Sequence, residues 1–127
     1  MTDITRTLEI LDKLVAFPTV SRDSNLDLIG WVQDLLQTAG FDVTRIWSPD
    51  RTKAGLFARI GPGTQGGVCL SAHTDVVPVD GQTWRRLPFQ LTDEGERVYG
   101  RGTTDMKGFL ASALVMAERA GTLPLST

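Results

Sequence analysis

Gly67-Val68-Cys69-Leu70-Ser71-Ala72-His73, followed at once by Thr74-Asp75-Val76-Val77-Pro78, is the most informative run of the chain. Its first part is a nearly all-apolar run, the signature of a strand buried on both faces between helical layers. Successive side chains of an extended segment alternate faces, so His73 and Asp75 point the same way where this strand ends. Cys69 lies inside the run and is the single cysteine, so it cannot form an internal disulfide. Free cysteine is among the most buried residue types, and Cys69 is expected to fill the core.

Toward the N-terminus, Ile4, Leu8, Leu11, Leu14 and Val15 recur at helical spacing and stop at Phe17-Pro18, where the proline disfavours helix in the residue before it. The spacing predicts a helix over 3–16. After a polar loop from Thr19 to Asn25, Leu28, Ile29, Val32, Leu35, Leu36 and Ala39 predict a second helix, ended by Gly40. Phe41 to Trp47 and Ala54 to Ile60 read as strands. Toward the C-terminus, residues 91–99 suggest a strand or hairpin around Asp93-Glu94-Gly95-Glu96. Lys107 to Ala120 reads as an almost wholly apolar helix, expected to lie buried against a sheet. Helices, strands and this last helix together predict an α/β chain.

With 127 residues the chain suffices for one domain or a piece of one. Its 13 basic and 15 acidic residues are scattered and leave a net charge of −2, which gives no footprint for nucleic acid or another polyanion. Met1 to Arg6 has no basic region leading into an apolar run, and nothing approaches the roughly 18 uninterrupted apolar residues of a membrane span. The expectation is a cytoplasmic protein without internal repeats.

Chemistry concentrates at two places. A zinc-ligating imidazole usually gives its second ring N–H to an oxygen acceptor, often a carboxylate, and Asp75 sits where that partner could be for His73. Thirty residues on, Gly100-Arg101-Gly102-Thr103-Thr104-Asp105-Met106-Lys107-Gly108 puts the Asp105 carboxylate in a glycine-rich turn before the last helix. A lone histidine beside a buried strand is more often a hydrogen-bonded core residue. The shared face and the second acidic loop are what raise a metal site above that reading.

Other patterns carry less. Gly61-Pro62-Gly63-Thr64-Gln65-Gly66 spells G-x-G-x-x-G but leads into a strand rather than opening a helix, so it reads as a turn between strands. Ser71, His73 and Asp75 share a face, yet side chains two apart on a strand start about 6.5 Å apart and run parallel, which does not make a relay. The turn at 100–108 lacks the Gly-Lys-Ser/Thr ending of a P-loop, so Lys107 reads as a structural or surface lysine. Trp84, Pro88 and Phe89 read as packing over the loop after Pro78.

Taken together, His73-Thr74-Asp75-Val76-Val77-Pro78, Trp84 with Pro88-Phe89, and Tyr99 through Gly108 resemble the metal-binding half of the M20 metallopeptidase and amidohydrolase family. The resemblance reaches back through Phe17-Pro18-Thr19-Val20-Ser21 and covers the N-terminal part of the family's usual length. It implies a zinc-peptidase-like catalytic domain, a three-layer α/β/α sandwich with a mixed sheet. Residues 1–127 would supply its N-terminal part, without the lid and dimerisation domain or the rest of the catalytic domain. It further implies that His73 ligates one metal, that Asp105 bridges two, and that Asp75 acts in catalysis by orienting His73. Two zinc ions, with cobalt possible in substitution, would serve hydrolysis of the amide bond of an N-acyl amino acid in a complete protein that is a homodimer. The family's cis peptide after the bridging aspartate predicts one at Asp105-Met106.

Leu87 departs from the aspartate the family commonly has before Pro-Phe. The glutamate that takes the water's proton and the remaining ligands would fall beyond Thr127, and His73 is the only histidine. One copy of these residues is therefore not expected to complete a two-metal site, and a non-catalytic fragment or interaction module stands as the alternative reading.

Overall fold

The computed structural model describes residues 2–63 and 66–126. Helix α1 (Asp3–Ala16) begins where the Thr2 hydroxyl accepts the Thr5 N–H, and Asp3 and Lys13 complement its dipole at the two ends. Ile10, Leu11, Leu14 and Val15 form its buried stripe. It stops because Phe17, ahead of Pro18, is extended at φ −82°, ψ 113°.

Helix α2 (Leu26–Thr38) buries Leu28, Ile29, Val32 and Leu36. Gly40, at φ +90°, turns the chain out of it. The Phe41 N–H reaches the Leu36 carbonyl and the Gly40 N–H the Gln37 carbonyl, each at 3.0 Å, which is a Schellman ending. Asn25, just before α2, does not cap it. Its side-chain amide instead pairs with both backbone groups of Ala54, at 2.9 and 3.0 Å, and so ties α2 to the strand that follows.

Strands β1 (Asp42–Trp47) and β2 (Ala54–Arg59) form an antiparallel ribbon with Val43 opposite Ala58 and Trp47 opposite Ala54. Ala54, Leu56, Ala58 and Val43 face the helices, while Ile46 and Phe57 on the other face are exposed. The segment expected as a strand or hairpin at 91–99 is a short hairpin, β3 (Thr92–Asp93) with β4 (Val98–Tyr99). A π-helical turn, Thr103–Lys107, then leads into α3 (Gly108–Ala120).

Three expectations are corrected. Residues 67–73 form no strand: Val68 is 90% exposed and Cys69 is exposed rather than core filler. A strand buried on both faces needs a strand beside it and a layer above and below, and among the described residues none lies alongside this run. Extended pairing begins only at Val76, which forms a parallel bridge with Val20. For the same reason the 61–66 turn follows β2 but does not join it to another strand; Thr64 and Gln65 in it lie outside the described residues. Finally, α3 packs on helices, not on a sheet. Ala111, Leu114, Val115 and Ala117 are buried in a core shared with α1 and α2, whereas Phe109 and Met116 stay exposed. Arg6 clasps Glu118 through two hydrogen bonds of 3.0 and 2.7 Å across the α1–α3 seam. The observed architecture is thus a small mixed α/β arrangement with two short antiparallel sheets.

Candidate metal site

Two braced segments deliver the polar groups. Thr74 to Val76 lies along Thr19 to Ser21: the Val76 N–H donates to the Thr19 carbonyl at 2.9 Å and the Ser21 N–H to the Val76 carbonyl at 3.0 Å. The buried Thr19 hydroxyl adds a 2.6 Å bond to the Thr74 carbonyl. These bonds fix the backbone under His73 and Asp75 although both side chains are about half exposed.

Asp105 is delivered from the other side. Gly102 sits at φ +87°, and a Cβ there would stand 2.5 Å from Val76 Cγ1, so only glycine lets the turn press against the bridge residue. The Lys107 N–H then closes onto the Gly102 carbonyl at 2.8 Å. Asp105 and Met106 leave helical geometry inside the π-turn, and the Asp105-Met106 peptide is cis, as the family resemblance implied. Lys107 is fully buried, and its ammonium donates to the Leu14 and Phe17 carbonyls at 2.8 and 2.7 Å. It is therefore structural. Burial pushes its pKa down to about 8.

Gly102→Ala should lower stability by about 3 kcal/mol, from the left-handed backbone and the Val76 clash together. Gly81, at φ +72° with open space around it, is the control. Gly81→Ala should cost only about 1 kcal/mol, from the backbone alone. Equal urea midpoints for the two variants would show that crowding against Val76 is not what Gly102 avoids.

The two deliveries meet. His73 Nε2 lies 2.9 Å from Asp105 Oδ1, and on the ring's far side Nδ1 faces the Asp75 carbonyl at 3.0 Å and Asp75 Oδ1 at 3.2 Å. Both the carboxylate and the backbone oxygen of Asp75 thus stand against the Nδ1 side of the His73 ring. The Asp105 carboxylate, hydrogen-bonded to the ring, raises the His73 pKa. The Ser21 hydroxyl, and after it His73, hold the Asp75 carboxyl below the usual carboxylate range.

This arrangement fits a metal. With Nδ1 donating to Asp75, the Nε2 lone pair faces a carboxylate oxygen at 2.9 Å, and two lone pairs at that distance need a proton or a cation between them. Imidazole nitrogen and carboxylate oxygen are zinc donors. Among the described residues no third His, Cys, Asp or Glu joins them.

Ser71 is exposed and stays out of the cluster. Trp84 packs against the Arg101 guanidinium, 4.9 Å from ring centre to Cζ, and Arg101 reaches back to the Pro78 carbonyl at 3.5 Å. The Arg101 N–H also takes the Pro88 carbonyl at 2.6 Å, so the Trp84–Phe89 loop is tied to the turn that carries Asp105. Sequence reasoning missed Thr19 and Ser21, whose alternation around Val20 was the only signal, and it left open where Lys107 lies.

The model of peptidase family M20/M25/M40 matches residues 69–124, the span that holds His73, Asp75 and Asp105. Over 114 residues, 84% of the chain, the sequence is 42% identical to an acetylornithine deacetylase of Shigella sonnei (strain Ss046). The chain spans 30% of that relative's length. The family match lies on the residues that converge in space, and the likeness to the relative extends over most of the chain.

Proposed function

We propose that residues 1–127 are the N-terminal part of the catalytic domain of a metal-dependent amidohydrolase that cleaves the amide bond of an N-acyl amino acid. Within that class we read the substrate as N2-acetylornithine, hydrolysed to ornithine and acetate in arginine biosynthesis. The observation that carries the reading is the approach of His73 Nε2 to Asp105 Oδ1 at 2.9 Å with Asp75 behind the ring. The 42% identity to an acetylornithine deacetylase supports the choice of substrate.

In this reading His73 and Asp105 would hold the metal centre, and Asp75 holds the His73 ring with Nδ1 protonated and Nε2 free. Zinc, or cobalt in its place, would supply a Lewis acid for the amide carbonyl and would lower the pKa of a water. The exposed 67–73 run and the outer face of α3 are read as parts of a three-layer α/β/α sandwich, completed by further strands. The complete protein is read as a cytoplasmic homodimer; among the described residues no helix is long and apolar enough to cross a membrane.

The rival reading, a non-catalytic fragment, is favoured by one observation, the absence of a third ligand among the described residues. The two part on the product of the native gene. A mass well above 13.9 kDa, with zinc-restored hydrolysis of N2-acetylornithine after chelation, is the expected result. Cleavage of N-succinyl-diaminopimelate or another acylated amino acid instead would overturn the substrate. A mass near 13.9 kDa with no hydrolysis of any of them would overturn the enzyme.

A further inference from the structure

The orientation of Asp75 is not explained by packing. Its side chain is 51% exposed and that of His73 46%, so water reaches both and a free carboxylate would rotate about its last bond. One oxygen, however, is held. The Ser21 hydroxyl donates to Asp75 Oδ2 at 2.5 Å, and a carboxylate with one oxygen pinned has its plane set, leaving Oδ1 toward His73 Nδ1. The hydroxyl has a second acceptor within reach, the Val76 carbonyl at 3.3 Å, but a single proton goes to the closer, charged oxygen.

Ser21 is itself well fixed. Its N–H bonds the Val76 carbonyl, its carbonyl accepts from the Lys53 ammonium, and its neighbour Val20 is buried against Val76. The backbone bridge thus places the hydroxyl beside the carboxylate whatever the side chains do.

We propose that Ser21 is a positioning residue of this site, holding Asp75 so that the His73 ring keeps its proton on Nδ1 and presents the Nε2 lone pair to the metal. This rests on the metal-site reading above. His73 Nε2 faces one acceptor, Asp105, and Nδ1 faces two on Asp75, so the balance between ring tautomers depends on keeping the Asp75 carboxylate in place.

Because the chain has a single histidine, 15N labelling of histidine yields one imidazole whose tautomer is read directly by NMR in the zinc-free 127-residue protein, at a pH where the ring is neutral. Wild type is expected to hold the proton on Nδ1. Ser21→Ala should shift it toward Nε2 and weaken zinc binding, titrated calorimetrically, by about tenfold, the low end of the range for partners of ligating histidines. Ser21→Thr, which keeps the hydroxyl, should restore both.

Unchanged tautomer and unchanged zinc affinity in Ser21→Ala would overturn the proposal, provided His73→Ala loses zinc. Should His73→Ala bind zinc as wild type does, the metal-site reading itself fails and takes the Ser21 role with it. A tautomer shift that Ser21→Thr does not reverse would also overturn it, since the hydroxyl would then not be the agent.

Discussion

Lys107→Ala is expected to lower the stability of the 127-residue chain by about 4 kcal/mol, a large part of what a small domain has. The last carbonyls of a helix have no partner within it. At the end of α1 the Leu14 carbonyl accepts the Phe17 N–H at 3.3 Å and the Phe17 carbonyl the Thr19 N–H at 2.8 Å, and the Lys107 ammonium donates a second bond to each from the opposite segment. Its charge also sits at the favourable, negative end of the α1 dipole. Alanine would take one donor each from the Leu14 carbonyl and the part-buried Phe17 carbonyl, at about 1 kcal/mol each since each keeps a backbone N–H, and would leave a cavity where the stem had been. Relief from burying a charge offsets part of this.

Lys107→Met separates the contributions, since it keeps most of the stem and removes only the ammonium. It should lose about half as much. Urea denaturation followed by circular dichroism measures both; a methionine variant as stable as wild type would show that the carbonyl clasp does not hold α1 to the Asp105 turn. With its pKa pushed down to about 8, the group is still an ammonium at neutral pH, which is the form that can satisfy both carbonyls.

His73→Ala should do the reverse, leaving stability within about 0.5 kcal/mol of wild type and removing function. The ring is nearly half exposed and supports no core residue. In the proposed site its contribution is to the metal: apparent zinc binding of roughly 10–16 kcal/mol over four ligands is about 3 kcal/mol for each, or two orders of magnitude in affinity. Zinc titration of the chain should show a loss of about 100-fold on that basis. The native gene product carrying the same change should lose the hydrolysis of N2-acetylornithine proposed for it. Retained zinc affinity together with retained hydrolysis would remove His73 from the site. The contrast matters because Lys107 and His73 lie on either side of Asp105, one holding the turn from inside and the other meeting the carboxylate outside.

Much of this was legible in the chain because it is local. Apolar residues at helical spacing, the halt before Pro18 and the left-handed exit at Gly40 place α1 and α2 with no knowledge of their neighbours. His73 and Asp75 are two residues apart, and their nearness needed no distant partner to be foreseen. The 67–73 run shows the limit of the same reasoning. Its composition asks for burial, but burial is supplied by neighbours, and among the described residues none is there. Helix α3 is apolar enough for either a sheet or helices, and composition does not choose between them.

The helices and the short hairpin follow from the chain alone, since each depends on residues a few positions apart. Folding alone makes Lys107 a buried clasp on α1, sets Ser21 against the second oxygen of Asp75, and brings Asp105 to His73 across thirty-two residues. Those contacts join segments that carry no mark of one another in the chain. They exist because the Val20–Val76 bridge and the glycine turn at Gly102 bring the segments within hydrogen-bonding distance.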